Sequence, residues 1–306
     1  MLDLVIIGGS IAGSTAAVYA SRRKLNFKLV TGDIGGEVAL SGEVENWPLI
    51  NHTTGFEMAQ MMDAQLKFNE VPVDEGFLVS EIIANGKTWI VKAESLSGEN
   101  RAYETRAIII ASGVKPKHLG VPGENELYHH GVTYCTVCDG PLFKNEITTT
   151  IGGGNSALES ALMMASIAKQ VFVINKNDKF KGEQILIDKL SRVPNVEIIY
   201  NAKTTRIEGD GAVNGVSMTL ADGSTRTVES HGVMIHIGNN PNSIFAPVEK
   251  DATGQILVDA LCRTNIAGIY AAGDVTNTPY KQIVVAAGMG CTAALAAIEY
   301  INRFEN

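Results

Sequence analysis

The chain is short of most features that mark a specialised class. Its 306 residues hold four cysteines, too few for a disulfide framework. Basic charge is scarce: the formal net charge is -8 and the pI about 5.3. That excludes the electrostatic footprint of nucleic-acid binding. No apolar run approaches the roughly 20 residues of a membrane span, so no membrane partner is expected. No basic n-region or cleavage site surrounds the first apolar run, so no leader is expected and the simplest compartment is the cytoplasm. One close cysteine pair exists, without a second pair to complete a zinc site, and His129 and His130 precede it too closely, so no metal is expected. Cys262 and Cys291 stand alone in apolar contexts and read as buried filler.

What the chain has in number is glycine, 31 residues, in an ordinary globular balance of 45% hydrophobic and 19% charged. Its length admits two domains. Several glycines end apolar runs. Residues 4–7 form a buried strand running into Gly8, Gly9, Ser10, Ile11, Ala12 and Gly13, then a small-residue helix with a basic end, then a strand over 27–30. This is a βαβ unit with its glycine turn at a helix N-terminus, where backbone amides face an anion. Serine replaces the second glycine of the usual pattern, and its Cβ would crowd a pyrophosphate. Asp33 lies near where a ribose hydroxyl needs an acceptor, or else in a loop.

The pattern recurs. A strand over 148–151 meets Gly152, Gly153, Gly154, Asn155, Ser156 and Ala157, with a helix over 156–167 and a strand over 171–174. Two copies predict two dinucleotide sites. The proline-bearing stretches 114–117 and 239–242 look like two crossings of one domain inserted in another. The expected fold is α/β, two Rossmann-like dinucleotide-binding domains. The host is 1–114 with 242–306, and residues 115–241 form the insert. A helix over about 282–304 closes the host.

Cys135 and Cys138 bracket Thr136 and Val137, with Asp139 and Gly140 following. Such a pair acts as a redox centre when one thiolate attacks a disulfide and the other resolves the mixed intermediate. Asp139 is placed to carry the proton of the leaving thiolate, or to serve as a turn residue. A structural disulfide across so short a loop adds little stability. The ribose reader expected after 171–174 is Asn175, Lys176 and, further on, Lys181: neither an acid for NADH nor an arginine fork for NADPH.

Taken together, residues 8–13, 44–48, 111–113, 135–140, 152–157, 273–274 and 280–282 resemble the low-molecular-weight thioredoxin reductase family. They span nearly the whole chain in order. The resemblance implies a flavoprotein disulfide reductase, a homodimer, passing electrons from NADPH or NADH through FAD and the Cys135/Cys138 dithiol to thioredoxin or a thioredoxin-like or glutaredoxin-like protein. It implies FAD contacts at residues 8–13, Asp33, Gly35, Gly36, Glu37, Asn46, Ala111, Ser112, Gly113, Gly273, Asp274, Lys281 and Gln282. Glu37 departs from the family's glutamine. Cys138 would face the flavin, Cys135 the partner protein, and Asp139 would be the acid. Residues 113–117 and 239–242 would be the hinge. Residues 201–205 and 278–282 are closer to the flavoprotein component of alkyl hydroperoxide reductase, a relative that prefers NADH and has an added N-terminal thioredoxin-like module. Relatives that lose the NADPH signature at 175–181 include some that take electrons from ferredoxin, which is the alternative donor. A non-catalytic redox sensor on the same scaffold is the remaining reading.

Overall fold

The structure, a computed structural model, describes the whole chain except Gly42, Leu96, Glu305 and Asn306 and the side chains of Glu43, Cys138 and Phe304. The chain divides into two compact units, residues 1–115 with 240–306, and residues 116–239.

The first unit is built on β1 (Leu2–Gly9), α1 (Ile11–Arg22), β2 (Phe27–Ile34), α2 (Gly55–Phe68), β3 (Val73–Glu75), β4 (Phe77–Asn85), β5 (Thr88–Ser95) and β6 (Asn100–Ile110). The sheet order is β3-β2-β1-β6-β5-β4, with the late strand Ile269–Ala271 added parallel to β6. Successive strand residues face opposite ways. Leu4 and Ile6 therefore join α1 and C-terminal alanines in one core, while Val5 and Ile7 join Val91, Ile108 and Ile110 in another. With both faces covered, β1 reads as an unbroken apolar run. The hairpin β4–β5 and its antiparallel pairing to β6 were not foreseen. Their outer residues are charged and their alternation is broken by a bulge.

The C-terminal helix, Ile283–Phe304, corrects one expectation. Its stretch Ile283–Arg303 is long and apolar enough to cross a membrane, with a mean hydropathy of 1.7. Ile283, Val284, Val285, Leu295 and Ile298, set among alanines and glycines, supply that character. Ala286, Ala293, Ala294, Ala297 and Ile301 lie in the core beside α1. A Cβ on Gly290 would come within 2.1 Å of the Ala12 carbonyl oxygen, so the small residues are what lets the two helices approach.

The second unit continues with β7 (Val132–Thr133), β8 (Ile147–Gly152), α3 (Asn155–Ala165), β9 (Gln170–Ile174), β10 (Val196–Ile199), β11 (Lys203–Gly209), β12 (Val213–Thr219), β13 (Thr225–Glu229) and β14 (Gly232–His236). A parallel sheet runs β7-β14-β8-β9-β10, beside a separate antiparallel sheet β11-β12-β13 that sequence reading missed. Thr148, Thr149 and Thr150 of β8 are all fully buried, and the Thr148 and Thr149 hydroxyls have no hydrogen-bond partner. Such orphaned hydroxyls cost stability. The two crossings, Val114–Pro116 and Asn239–Pro241, are short strands.

Candidate active site

In the first unit, β1 ends at Gly8 with φ +106, where an added Cβ would lie 2.3 Å from the Ala111 carbonyl oxygen. Only glycine suits both demands. Gly13 is equally confined, 1.8 Å from the Gly8 carbonyl oxygen, so helix and strand meet without a gap. Ser10, the helix N-cap, turns its hydroxyl aside to donate to the Gly35 carbonyl at 2.6 Å. The serine hydroxyl is thereby committed to the Gly35 turn. The Gly35 amide donates to the Gly9 carbonyl at 3.1 Å, which fixes the Gly35, Gly36, Glu37 turn against the same loop. Asp33 lies in β2, and its carboxylate accepts from the Gly36 amide at 2.9 Å.

Late residues come to the same strand ends. Ala272 donates to the Ile110 carbonyl at 2.9 Å, which sets Gly273 and Asp274 beside Ala111. A Cβ on Gly273 would be 3.1 Å from that of Ala12. Lys281 donates to the carbonyl oxygens of Asp274 at 3.0 Å and Thr276 at 2.6 Å, and to Gln255 at 3.2 Å. Asn46 donates to Gln282 at 3.3 Å. Ser112 and Asn242 exchange side-chain to main-chain hydrogen bonds at 2.6 and 2.8 Å, leaving Gly113 with open space where a Cβ would be. Burial raises the Asp274 carboxyl to about 6, against the opposing pull of Lys281. Burial also lowers the Lys281 ammonium. A half-buried acid and base at a glycine-lined strand end have the character of a ligand site. Gln255 was missed by sequence reading, because nothing local marks it.

In the second unit, Gly152 (φ +150) would place a Cβ 2.1 Å from the His236 carbonyl oxygen, whereas Gly154 has nothing within 4 Å. Gly154 is thus open for close approach to the N-terminus of α3, and buried Ala157 lets that helix sit on the sheet. The reading loop folds onto this turn. Lys181 donates its amide to the Gly153 carbonyl at 2.7 Å. Asn155 exchanges two hydrogen bonds with Glu183, at 2.9 and 2.8 Å. Ser156 is exposed at the head of the helix. Asn175 is buried. Its amide donates to the Lys179 carbonyl at 2.9 Å and its oxygen accepts from the Asn177 amide at 3.2 Å. That carboxamide holds its own loop, while Lys176 and Lys181 point to solvent.

The cysteine motif caps β7. Cys135 is disulfide-bonded, and Cys262 and Cys291 are free. The Cys138 side chain lies outside the described residues. Thr136–Asp139 forms a one-turn helix, closed by the Asp139 amide on the Cys135 carbonyl at 3.1 Å. Buried Thr133 accepts from the Cys135 amide at 3.0 Å and donates to the Asp139 carboxylate. This threonine was not among the sequence candidates, although a hydroxyl two residues before a cysteine is the available signal. Glu124, 1% exposed, accepts from the amides of Leu119 and Gly120, each at 2.7 Å, and from the Tyr134 phenol at 2.8 Å. Burial and that carboxylate hold the Tyr134 phenol well above its ordinary pKa. Cys262 is buried, which pushes its thiol up to about 11 and leaves it inert. Cys291 is only partly buried, against expectation, and its hydrogen bond raises the Tyr19 phenol.

Two glycine-turn βαβ units, one carrying a CxxC with a disulfide at its first cysteine, define a dinucleotide-linked disulfide oxidoreductase fold. The chain belongs to the pyridine nucleotide-disulphide oxidoreductase family, whose profile matches residues 2–290. Over 98% of its length it is 36% identical to an alkyl hydroperoxide reductase component of Escherichia coli (strain K12), of which it spans 58%. Among solved structures it is similar to the thioredoxin reductase from Streptococcus pyogenes MGAS5005, with TM-score 0.86, 34% identity and 99% of both chains covered. It is also similar to the thioredoxin reductase from Giardia duodenalis, with TM-score 0.85, 31% identity and coverage of 98% of this chain and 99% of that one. The family carries FAD and a nicotinamide cofactor. The first unit fits the flavin nucleotide: a tight turn that only glycine allows at Gly8, open space at Gly113, and half-buried Asp274 and Lys281 at the strand ends.

Proposed function

We propose that the chain is a disulfide reductase that takes electrons from NADH or NADPH and delivers them, through Cys135 and Cys138, to a thioredoxin-like or glutaredoxin-like protein, working as a homodimer. The disulfide at Cys135, on a motif whose Asp139 is held by Thr133, is the observation that carries this reading. Bound FAD supplies two-electron exchange between nicotinamide and dithiol. Residues 8–13, Asp33, Gly35, Gly36, Glu37, Asn46, 111–113, Gly273, Asp274, Lys281 and Gln282 are the groups that would hold it. Residues 152–157, with Lys176 and Lys181 outside them, would take the nicotinamide dinucleotide.

In the reduced pair, the Cys135 thiolate attacks one sulfur of the target disulfide. That S–S bond breaks, and the departing sulfur takes a proton. The Cys138 thiolate then attacks the Cys135 sulfur, releasing the second target thiol and re-forming the protein disulfide. Two electrons and two protons pass to the target. Asp139 is the acid that returns a proton to the leaving thiolate. Its tie to Thr133 keeps the carboxyl at the cysteine turn.

A second reading keeps the acceptor and makes reduced ferredoxin the donor. The inward commitment of Asn175, with neither an acid nor an arginine at the ribose position, favours it. Rapid mixing with NADH and with NADPH separates the two, since fast flavin bleaching by either nucleotide rejects the ferredoxin-only donor. For the disulfide chemistry itself, Cys135→Ser should lower protein-disulfide reduction at least about a thousandfold and spare reduction of an artificial dye. Retained disulfide reduction would overturn the assignment.

A further inference from the structure

We infer that His236 is a positioning residue for the redox pair, holding the turn between the two cysteines through the hydroxyl of Thr136. This inference rests on the disulfide exchange proposed above. Thr136 is the first residue inside the CxxC and is 3% exposed. Its hydroxyl lies 2.7 Å from the His236 Nε2 and 2.6 Å from the Ser160 hydroxyl. Ser160 belongs to α3 and is buried, and its hydroxyl lies 3.5 Å from that of Thr150 in β8. A chain of hydroxyls therefore runs from the cysteine turn into the sheet and the helix of the dinucleotide unit, with one imidazole as its nitrogen member.

The anchor is rigid. His236 ends β14 in register with Gly152, and no Cβ fits between Gly152 and the His236 carbonyl. The main chain of His236 is thereby held by the same glycine that shapes the nucleotide turn. From behind, Gly140 sits on Met164 of α3, where a Cβ would be 2.9 Å from the sulfur. Burial lowers the His236 imidazole to about 4, so it is neutral near pH 7. It then has one donor and one acceptor nitrogen, which suits a hydroxyl partner. No feature of the CxxC alone requires a hydroxyl at 136, and nothing near 236 in sequence marks a histidine.

The tether is observed in the disulfide state. Opening the disulfide frees the turn, so the bond from Thr136 to His236 favours the oxidised pair and makes it harder to reduce. The test uses the full chain with its flavin. The native protein, Thr136→Val, His236→Ala, His236→Gln and the Thr136→Val/His236→Ala double variant are equilibrated anaerobically in dithiothreitol buffers. Dithiothreitol is the reductant: its two thiols supply two electrons and two protons as the 135–138 bond opens. The extent of reduction is read from alkylated Cys135 by mass. Thr136→Val conserves shape, and should fold even if His236→Ala does not.

Thr136→Val and His236→Ala should each make the pair easier to reduce by about three- to tenfold, the range of one hydrogen bond. At 29.6 mV per tenfold for a two-electron couple, that is about 15–30 mV. The double variant should show the same shift as either single one, and His236→Gln should stay near native. Unshifted single variants, or shifts that add in the double, overturn the inference. A native pair that never opens and closes reversibly overturns the disulfide reading instead, and is seen before any variant is compared.

Discussion

The two glycine turns are the same local structure put to different use. Ser10 and Gly154 occupy one position of that turn, each the N-cap of its helix, at φ -82, ψ -171 and φ -96, ψ -177. Gly8 and Gly152 also correspond, each at positive φ with a carbonyl where a Cβ would go. The turns differ in what distant segments bring to them. The first receives Asp274, Lys281 and Gln282 from the C-terminal segment, along with a carbonyl at Gly35 that absorbs the serine. The second receives a loop whose asparagine faces inward, and a cysteine turn tied to His236. Strand and glycine build the frame, and later residues decide the chemistry.

The sharpest way to break this comparison is to fill each turn. Gly152→Ala or Gly8→Ala forces a Cβ onto a carbonyl at positive φ, and should cost about 2–4 kcal/mol in chemical unfolding. Gly154→Ala meets no atom and adopts an ordinary extended backbone. It should leave stability unchanged while weakening dinucleotide binding, by calorimetry, at least about tenfold. Equal losses of stability for Gly152→Ala and Gly154→Ala would show that the turn is not built as described.

A smaller effect separates the two units by the sign of their pH response. Asp274 is raised from 3.8 to about 6. The folded state holds that proton more tightly, so its stabilisation is complete below the ordinary value and lost as pH rises through about 6. His236 is lowered from 6.5 to about 4. Its contribution is present above the ordinary value and lost as pH falls through about 4. Unfolding of flavin-free protein between these limits should therefore show Asp274→Asn gaining about 1–2 kcal/mol over native as pH rises. His236→Gln should gain as pH falls. Slopes of the same sign in the two variants would contradict the two environments.

The smallest effect concerns β8 alone. Thr149→Val removes an orphaned buried hydroxyl and keeps the shape, and should stabilise by about 1 kcal/mol in urea titration. Destabilisation would reveal a partner for that hydroxyl.

How far the sequence is legible follows from the same contrast. Leu4, Val5, Ile6 and Ile7 form an unbroken apolar run because the strand is covered on both faces, and the glycines after it follow from the turn. The cysteine motif is local and visible. The hairpin β4–β5 was hidden, because its residues alternate with charged ones and a bulge breaks the period. The C-terminal helix does not read as one apolar run, because Ile283, Val284, Val285, Leu295 and Ile298 are spaced by small residues and Thr292. Thr136 and His236 are 100 residues apart, and no single-sequence pattern links two such residues. Lys281 stands out only through the family resemblance, and the structure adds that its ammonium is held by carbonyl oxygens and Gln255.

The central claim is that one chain carries both a flavin and a redox-active cysteine pair. Anaerobic dithionite titration of the flavin-loaded protein tests it most directly. Native protein should take up twice as many electrons per flavin as Cys135→Ser, because the pair proposed at 135 and 138 would accept as many as the flavin does. Equal uptake by the two proteins, or native protein that holds no flavin, would contradict it.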